Sequence, residues 1–291
     1  MKLIFSLLLI SLICFPFIGM SQDDAPEKVP PRPVRSTFES SLLIDNQTVM
    51  VPFKGTFQWD IQHRFGTWEN GYDDYFGLAA PSNIRLGFNY IPVEDLQIGF
   101  GITKERKMWD FSAKYAIVQQ KRSGGFPFSI TYYGVAGIDS RDFDDFEEAS
   151  DHFSYFNQIM IARKFSDRLS LQLAPSFSYY NFQERVSDDQ GAFLGFMGNK
   201  HVALTALGRI KLTDTMSFIG NVDIPITEHE YNDPETNVSL GIEFTSSSHA
   251  FQLFVGNYQS INPQLNNLLN QNTFGAGEIL IGFNITRLWN F

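Results

Sequence analysis

The chain has 291 residues, with 22 Lys+Arg against 32 Asp+Glu and a formal net charge of −10, a balance that argues against nucleic acid or another polyanion as partner. Beyond the first 21 residues there is no run of 18 apolar residues, which excludes a helical membrane protein. Aromatic residues make up 15% of the chain, with 29 Phe, against 19% charged residues. A soluble all-β protein has little use for so many rings, but a barrel with a lipid-facing exterior and two aromatic girdles does.

Residues 1–21 read as a cleaved signal peptide. Met1-Lys2 supplies a positive start, Leu3 to Ile18 an apolar stretch and Gly19-Met20-Ser21 a cleavage site. Cys14, the only cysteine, lies inside that stretch and leaves with it, so no disulfide is expected. Residues 22–35, with Pro26, Pro30, Pro31 and Pro33, read as a disordered periplasmic tail. Residues 36–52 (STFESSLLIDNQTVMVP) are too apolar for a linker. They read equally as a plug inserted into the lumen or as an amphipathic segment on the periplasmic rim or part of the first strand.

From Gly55 onward the sequence alternates. Phe57, Trp59, Ile61 and Phe65 are apolar between Thr56, Gln58, Asp60, Gln62 and Arg64, so one face suits lipid and the other water. Ile84, Leu86, Phe88 and Tyr90 repeat the pattern, then Leu96, Ile98, Phe100 and Ile102, then Trp109, Phe111, Ala113, Tyr115 and Ile117. Noisier strands follow at 127–136, 152–164, 169–180, 200–210, 216–226, 237–245, 249–258 and 277–291, making twelve. In 152–164 the parity stays open, because Phe156, Met160 and Ala162 compete with Tyr155, Ile159 and Ile161. Connections alternate between short (Pro92–Asp95, Gln119–Phe126, Phe165–Arg168, Lys211–Thr215, Ser246–Ser248) and, with the exception of the short Lys104–Met108, long (66–81, 137–151, 181–199, 227–236, 259–276). Short periplasmic turns, long extracellular loops and an even strand count would put both termini in the periplasm. The last strand carries Ile279, Ile281, Phe283, Ile285, Trp289 and the final Phe291 on one face, as insertion machinery for outer-membrane barrels expects.

The stretches TFESSLLIDNQTVMVPFKGTFQWDIQHRFG (37–66), APSNIRLGFNY (80–90), GFGITKERKMWD (99–110), YFNQIMIARKFSDRLSLQLAPS (155–176), SSSHAFQLFVGNYQSI (246–261) and GEILIGFNITRLWNF (277–291) resemble an uncharacterised family of Gram-negative outer-membrane β-barrels, a domain of unknown function. The resemblance covers most of the chain after the signal peptide. It implies the barrel and the compartment, with lipid and lipopolysaccharide as surroundings, and no site residues.

Strand parity directs Asp60, Arg64, Arg85, Asp110, Lys114, Arg209, Asp223 and Glu243 into the lumen. In a narrow barrel these either line a small polar channel or cross-link into a closed core. His152 and Ser154 share one side of a strand, as a catalytic pair of a barrel phospholipase would, but no third orienting residue is identifiable. His-x-Ser triplets are common by chance. The acidic loop Asp139–Asp151 offers Asp142, Asp144, Asp145 and Glu147 as calcium ligands, against the plainer reading of a solvated charge run. No other cofactor is expected. Gln259–Asn272 is amide-rich and suited to docking a partner or to folding into the mouth. The favoured reading is a channel or importer for small polar solutes. A closed barrel docking a periplasmic or surface protein is the alternative, and a phospholipase-like enzyme comes third.

Overall fold

Alternation of this kind closes on itself when every strand finds two neighbours, because lipid offers no partner for an open edge. In the computed structural model, which describes residues 32–34, 36–275 and 277–290, it does so. The proposed signal peptide, most of the tail and Phe291 lie outside the described residues.

A short hairpin comes first, β1 (Leu42–Leu43) and β2 (Asn46–Gln47). Then follow β3 (Thr56–Thr67), β4 (Asn83–Val93), β5 (Leu96–Thr103), β6 (Met108–Val118), β7 (Ser129–Ile138), β8 (Phe153–Lys164) and β9 (Leu169–Tyr180). A second hairpin, β10 (Arg185–Ser187) with β11 (Phe193–Phe196), precedes β12 (Lys200–Lys211), β13 (Met216–Pro225), β14 (Asn237–Thr245), β15 (His249–Gly256) and β16 (Leu280–Asn290). Strands β3–β9 and β12–β16 form a closed antiparallel barrel of twelve strands, sealed by β16 on β3, where Trp289 faces Phe57 and Asn290 faces Thr56.

In β3 every even residue from Thr56 to Arg64 is buried and every odd one is part-exposed. The outer wall carries Ile98, Phe111, Tyr132, Ile159, Phe177, Leu240 and Leu253. In β8 it is Phe156, Met160 and Ala162 that turn inward, while Tyr155, Ile159 and Ile161 face out. Ile159→Arg is therefore expected to cost about 2–4 kcal/mol of stability in bilayers, and Ile159→Leu less than about 1.5. Equal unfolding midpoints for the two in a denaturant titration would refute this facing. Connections of a few residues cluster at one end, here the turn end. The long ones 68–82, 139–152, 181–199, 226–236 and 257–279 share the other, the loop end, with the short 104–107, whereas 119–128, expected as a short turn over Gln119–Phe126, is a long connection at the turn end.

Candidate functional site: the filled lumen

The interior is occupied from both ends. Residues 36–50 enter from the turn end, where Val34 N–H donates to the Gln120 carbonyl (2.9 Å) and Lys164 Nζ donates to the Ser36 carbonyl (3.3 Å). The β1–β2 hairpin turns at Ile44-Asp45 deep in the lumen, and the chain returns to begin β3 at the same end. Ile44 has φ +58°. A β-branched residue avoids that region, at a cost on the order of 1–3 kcal/mol. The wall imposes it: Ile44 N–H donates to Gln252 Oε1 (2.9 Å), and its carbonyl accepts from Asn284 Nδ2 and, at 3.4 Å, from Gln62 Nε2 and Arg64.

The rest of the hairpin is held in the same manner. Gln252 Nε2 donates to the Leu42 carbonyl (2.9 Å), Gln172 Nε2 to the Gln47 carbonyl (2.8 Å), and Gln172 Oε1 accepts from Val49 N–H (2.9 Å). Thr131 Oγ1 donates to the Val49 carbonyl (3.0 Å) and Ser41 Oγ to Gln58 Oε1 (2.7 Å). Its apolar side chains Phe38, Leu43, Ile44 and Val49 pack with Phe156, Met160, Leu207, Ile219 and Phe254 in one buried cluster.

From the loop end, residues 257–272 fold into the mouth. Their helix, Pro263–Leu269, is fully buried at Leu265. Pro263 starts it where the N–H would be unpaired anyway. Asn262 Nδ2 donates to Asp110 Oδ2 (3.2 Å), Asn237 Nδ2 to Asn266 Oδ1 (2.7 Å), and Ser260 Oγ to Glu105 Oε1 (2.8 Å). Burial lifts the Glu105 carboxyl above the usual carboxylate range against the pull of Ser260, Arg106 and Asn83. The two insertions meet at Asp45, whose carboxylate accepts from Tyr258 OH (2.7 Å) and from Asn266 Nδ2.

The eight residues assigned to the lumen from parity all lie on this inner side, and seven of them are buried, Arg85 being part-buried. Arg85 grips Asp110 through Nε (2.9 Å) and Nη2 (2.5 Å), and Arg209 Nε donates to Glu243 (3.0 Å). Gly101 makes the first pair possible, since a Cβ there would stand 2.3 Å from Arg85 Nη2. Lys114 Nζ donates to Gln47 Oε1 (2.8 Å) and the Ser41 carbonyl (3.3 Å). Arg64 lies 4.4 Å over the Phe254 ring. Asp60 accepts from Gln58, Asn89 and Thr286, and Asp223 from Thr205, Asn46 and Asn221.

The other candidates are not brought together. Ser154 is buried under the loop helix, with Gln264 Nε2 3.5 Å from its hydroxyl. The His152 ring is bonded through Nδ1 to the Asp139 carbonyl, and no bond joins it to Ser154. Asp142, Asp144, Asp145 and Glu147 are exposed. Among the described residues, no three acidic, His or Cys groups converge to hold a metal. Glutamines 58, 62, 172 and 252, Asn284 and Tyr258 do most of the holding and were not singled out by sequence. The only sequence signal of the five amides was their inward parity, and Tyr258, beyond the end of β15, reads from sequence only as an aromatic near a strand end.

At the turn end a vestibule of about 880 Å³ opens beside the hairpin, lined among others by Glu39, Glu94, Asp95, Gln119, His249 and Asn290.

A family model described as a membrane-bound beta barrel domain (DUF5777) matches residues 38–289. No curated protein matches the sequence. Among solved structures, the COG4313 outer membrane channel from Pseudomonas putida F1 superposes with a TM-score of 0.50 at 9% identity, over 82% of this chain and 97% of its own. The NanC porin gives 0.47 at 8% identity, over 81% and 99%. The KdgM porin gives 0.45 at 9%, over the same shares. Identities this low speak to the fold alone.

Proposed function

The chain belongs to the DUF5777 family of membrane-bound β-barrel domains, and from that premise we propose a channel for small polar solutes that is held shut at rest by its own N-terminal hairpin. The barrel is in the bacterial outer membrane. In this reading the turn end faces the periplasm. One observation carries the proposal: the hairpin enters and leaves the lumen by the same end, so it can withdraw without breaking any strand pairing of the wall. What it leaves behind is lined by Gln58, Gln62, Gln172, Gln252, Lys114 and Asp223, groups that water can satisfy as well as the hairpin does.

A cysteine at Ser41, which is 5% exposed, tests the gate. The signal segment holds the only native cysteine, so Ser41→Cys is unique after processing. A bulky charged thiol reagent added at the turn side is expected to trap the hairpin outside and turn brief openings into sustained conductance. Complete labelling with unaltered conductance, or no labelling at all, overturns the gate.

A second reading draws on the loop end, where Phe193, Leu194 and Phe196 of β11 stand about half exposed. Such a patch suits docking of a surface partner.

A further inference from the structure

The wall recognises the hairpin chiefly through its main chain. Gln252 accepts the N–H of Ile44 and donates to the carbonyl of Leu42, and Gln172 does the same for Val49 and Gln47. Each glutamine thus reads one N–H and the carbonyl two residues earlier. Thr131, Lys114 and Asn284 add further bonds to carbonyls. None of these contacts asks anything of a side chain, as in recognition of an added strand by its main chain. Beside them the lumen keeps an apolar strip, with Phe156, Met160, Leu207 and Phe254 among its members, that receives Leu43, Ile44 and Val49. Such a strip gives the apolar side chains of an extended chain a place to pack. The lumen charges do not select an ion, because Asp60, Asp110, Asp223 and Glu243 are matched by Arg64, Arg85, Lys114 and Arg209.

We propose that the lumen is a chamber for short extended peptides and that the 41–49 hairpin is an intramolecular stand-in for them. The proposal rests on the gated reading above, since a peptide can enter only where the hairpin has withdrawn. The class of ligand is an uncharged or weakly acidic peptide of hairpin length. It has apolar side chains for the strip and an Asp at its turn, where Tyr258 OH and Asn266 Nδ2 bind the Asp45 carboxylate. A tethered segment competes at an effective concentration in the millimolar range, so a free peptide binds well only when the hairpin is weakened.

The test uses the full chain with Leu43→Ser and Val49→Ser, which weaken the hairpin's apolar grip and leave the wall untouched. Binding is measured by fluorescence anisotropy for labelled SSLLIDNQTVM (residues 40–50), for a second peptide with the same apolar and Asp positions but otherwise different sequence, and for a neutral oligosaccharide. Both peptides are expected to bind saturably and within tenfold of each other, the sugar not at all. Gln172→Leu with Gln252→Leu on the same background should weaken both peptides at least tenfold, with the heat-modified mobility of the folded barrel retained. Absence of peptide binding, preference for the sugar, or binding of the native sequence alone with no effect of the glutamines overturns the proposal. Conductance of the same variant separates it from the channel reading. Peptide binding without conduction removes the channel and keeps the chamber, and conduction without peptide binding does the reverse.

Discussion

Deleting residues 36–52 is expected to convert the barrel from silent to steadily conducting in a planar bilayer, the largest functional change any single alteration should produce. The hairpin contributes the turn-end half of the lumen filling, and no barrel strand pairs with it. Closure of β16 on β3 and the rest of the ring therefore survive. The deletion still has a stability cost. Phe38, Leu43, Ile44 and Val49 are at most 5% exposed, and burying each such side chain contributes about 1.5–3 kcal/mol. Part of that is returned by releasing the ordered backbone and the strained φ at Ile44. A lower unfolding midpoint with a retained barrel signature is thus the expected companion of conduction. The loop helix still narrows the mouth, so further deletion of 260–272 should raise the unit conductance again. If only the second deletion conducts, the helix is the barrier and the hairpin is packing. If neither does, the barrel is closed by its own wall, and partner docking becomes the function to pursue.

How far sequence carried this picture depended on the range of the interactions. The twelve strands, their facing in β3 and the short and long connections follow from period-two alternation and local turns, which are legible within ten residues. The parity of β8 was not, for a physical reason. The rule that lumen faces are polar fails where Phe156, Met160 and Ala162 face a segment from another part of the chain, and the apolar character of 36–52 was its only trace. That segment was recognisable as something other than a linker. Its place was not, because it is fixed by bonds such as Ile44 to Gln252 and Val49 to Gln172, between residues 208 and 123 positions apart. Inward charges could be named from parity, but their partners needed the register. Arg85 reaches Asp110 across β5, over a glycine that spacing alone does not mark as a gap. His152 and Ser154 illustrate the converse. They are neighbours in sequence, yet Ser154 lies under the loop helix and the His152 ring is bonded to Asp139.

Arg85→Met should be among the most destabilising single substitutions in the lumen, and its size decides whether water reaches the interior at rest. The guanidinium makes two bonds to Asp110 and a third to Gln62 Oε1 (3.1 Å), and the Asp110 side chain is 2% exposed. Removing the cation leaves that carboxylate with the Asn262 amide as its remaining donor among the described residues. In a dry interior, stranding one partner of a buried pair costs about 3–5 kcal/mol. Arg85→Met with Asp110→Leu removes both charges and should recover most of the loss, because well-packed apolar replacements of a buried pair are often neutral. In an interior open to water, Asp110 would be solvated, and Arg85→Met would cost about 1 kcal/mol or less, as for an exposed pair. Urea unfolding of the three proteins in the same vesicles distinguishes the cases. A large single loss with recovery in the double variant means that the resting lumen is sealed at the level of β4–β6, so that any passage must begin with movement of the hairpin or of the helix that Asn262 ties to Asp110. A small loss places a hydrated path beside Arg85 that neither insertion blocks, and gating would then have to lie elsewhere in the barrel.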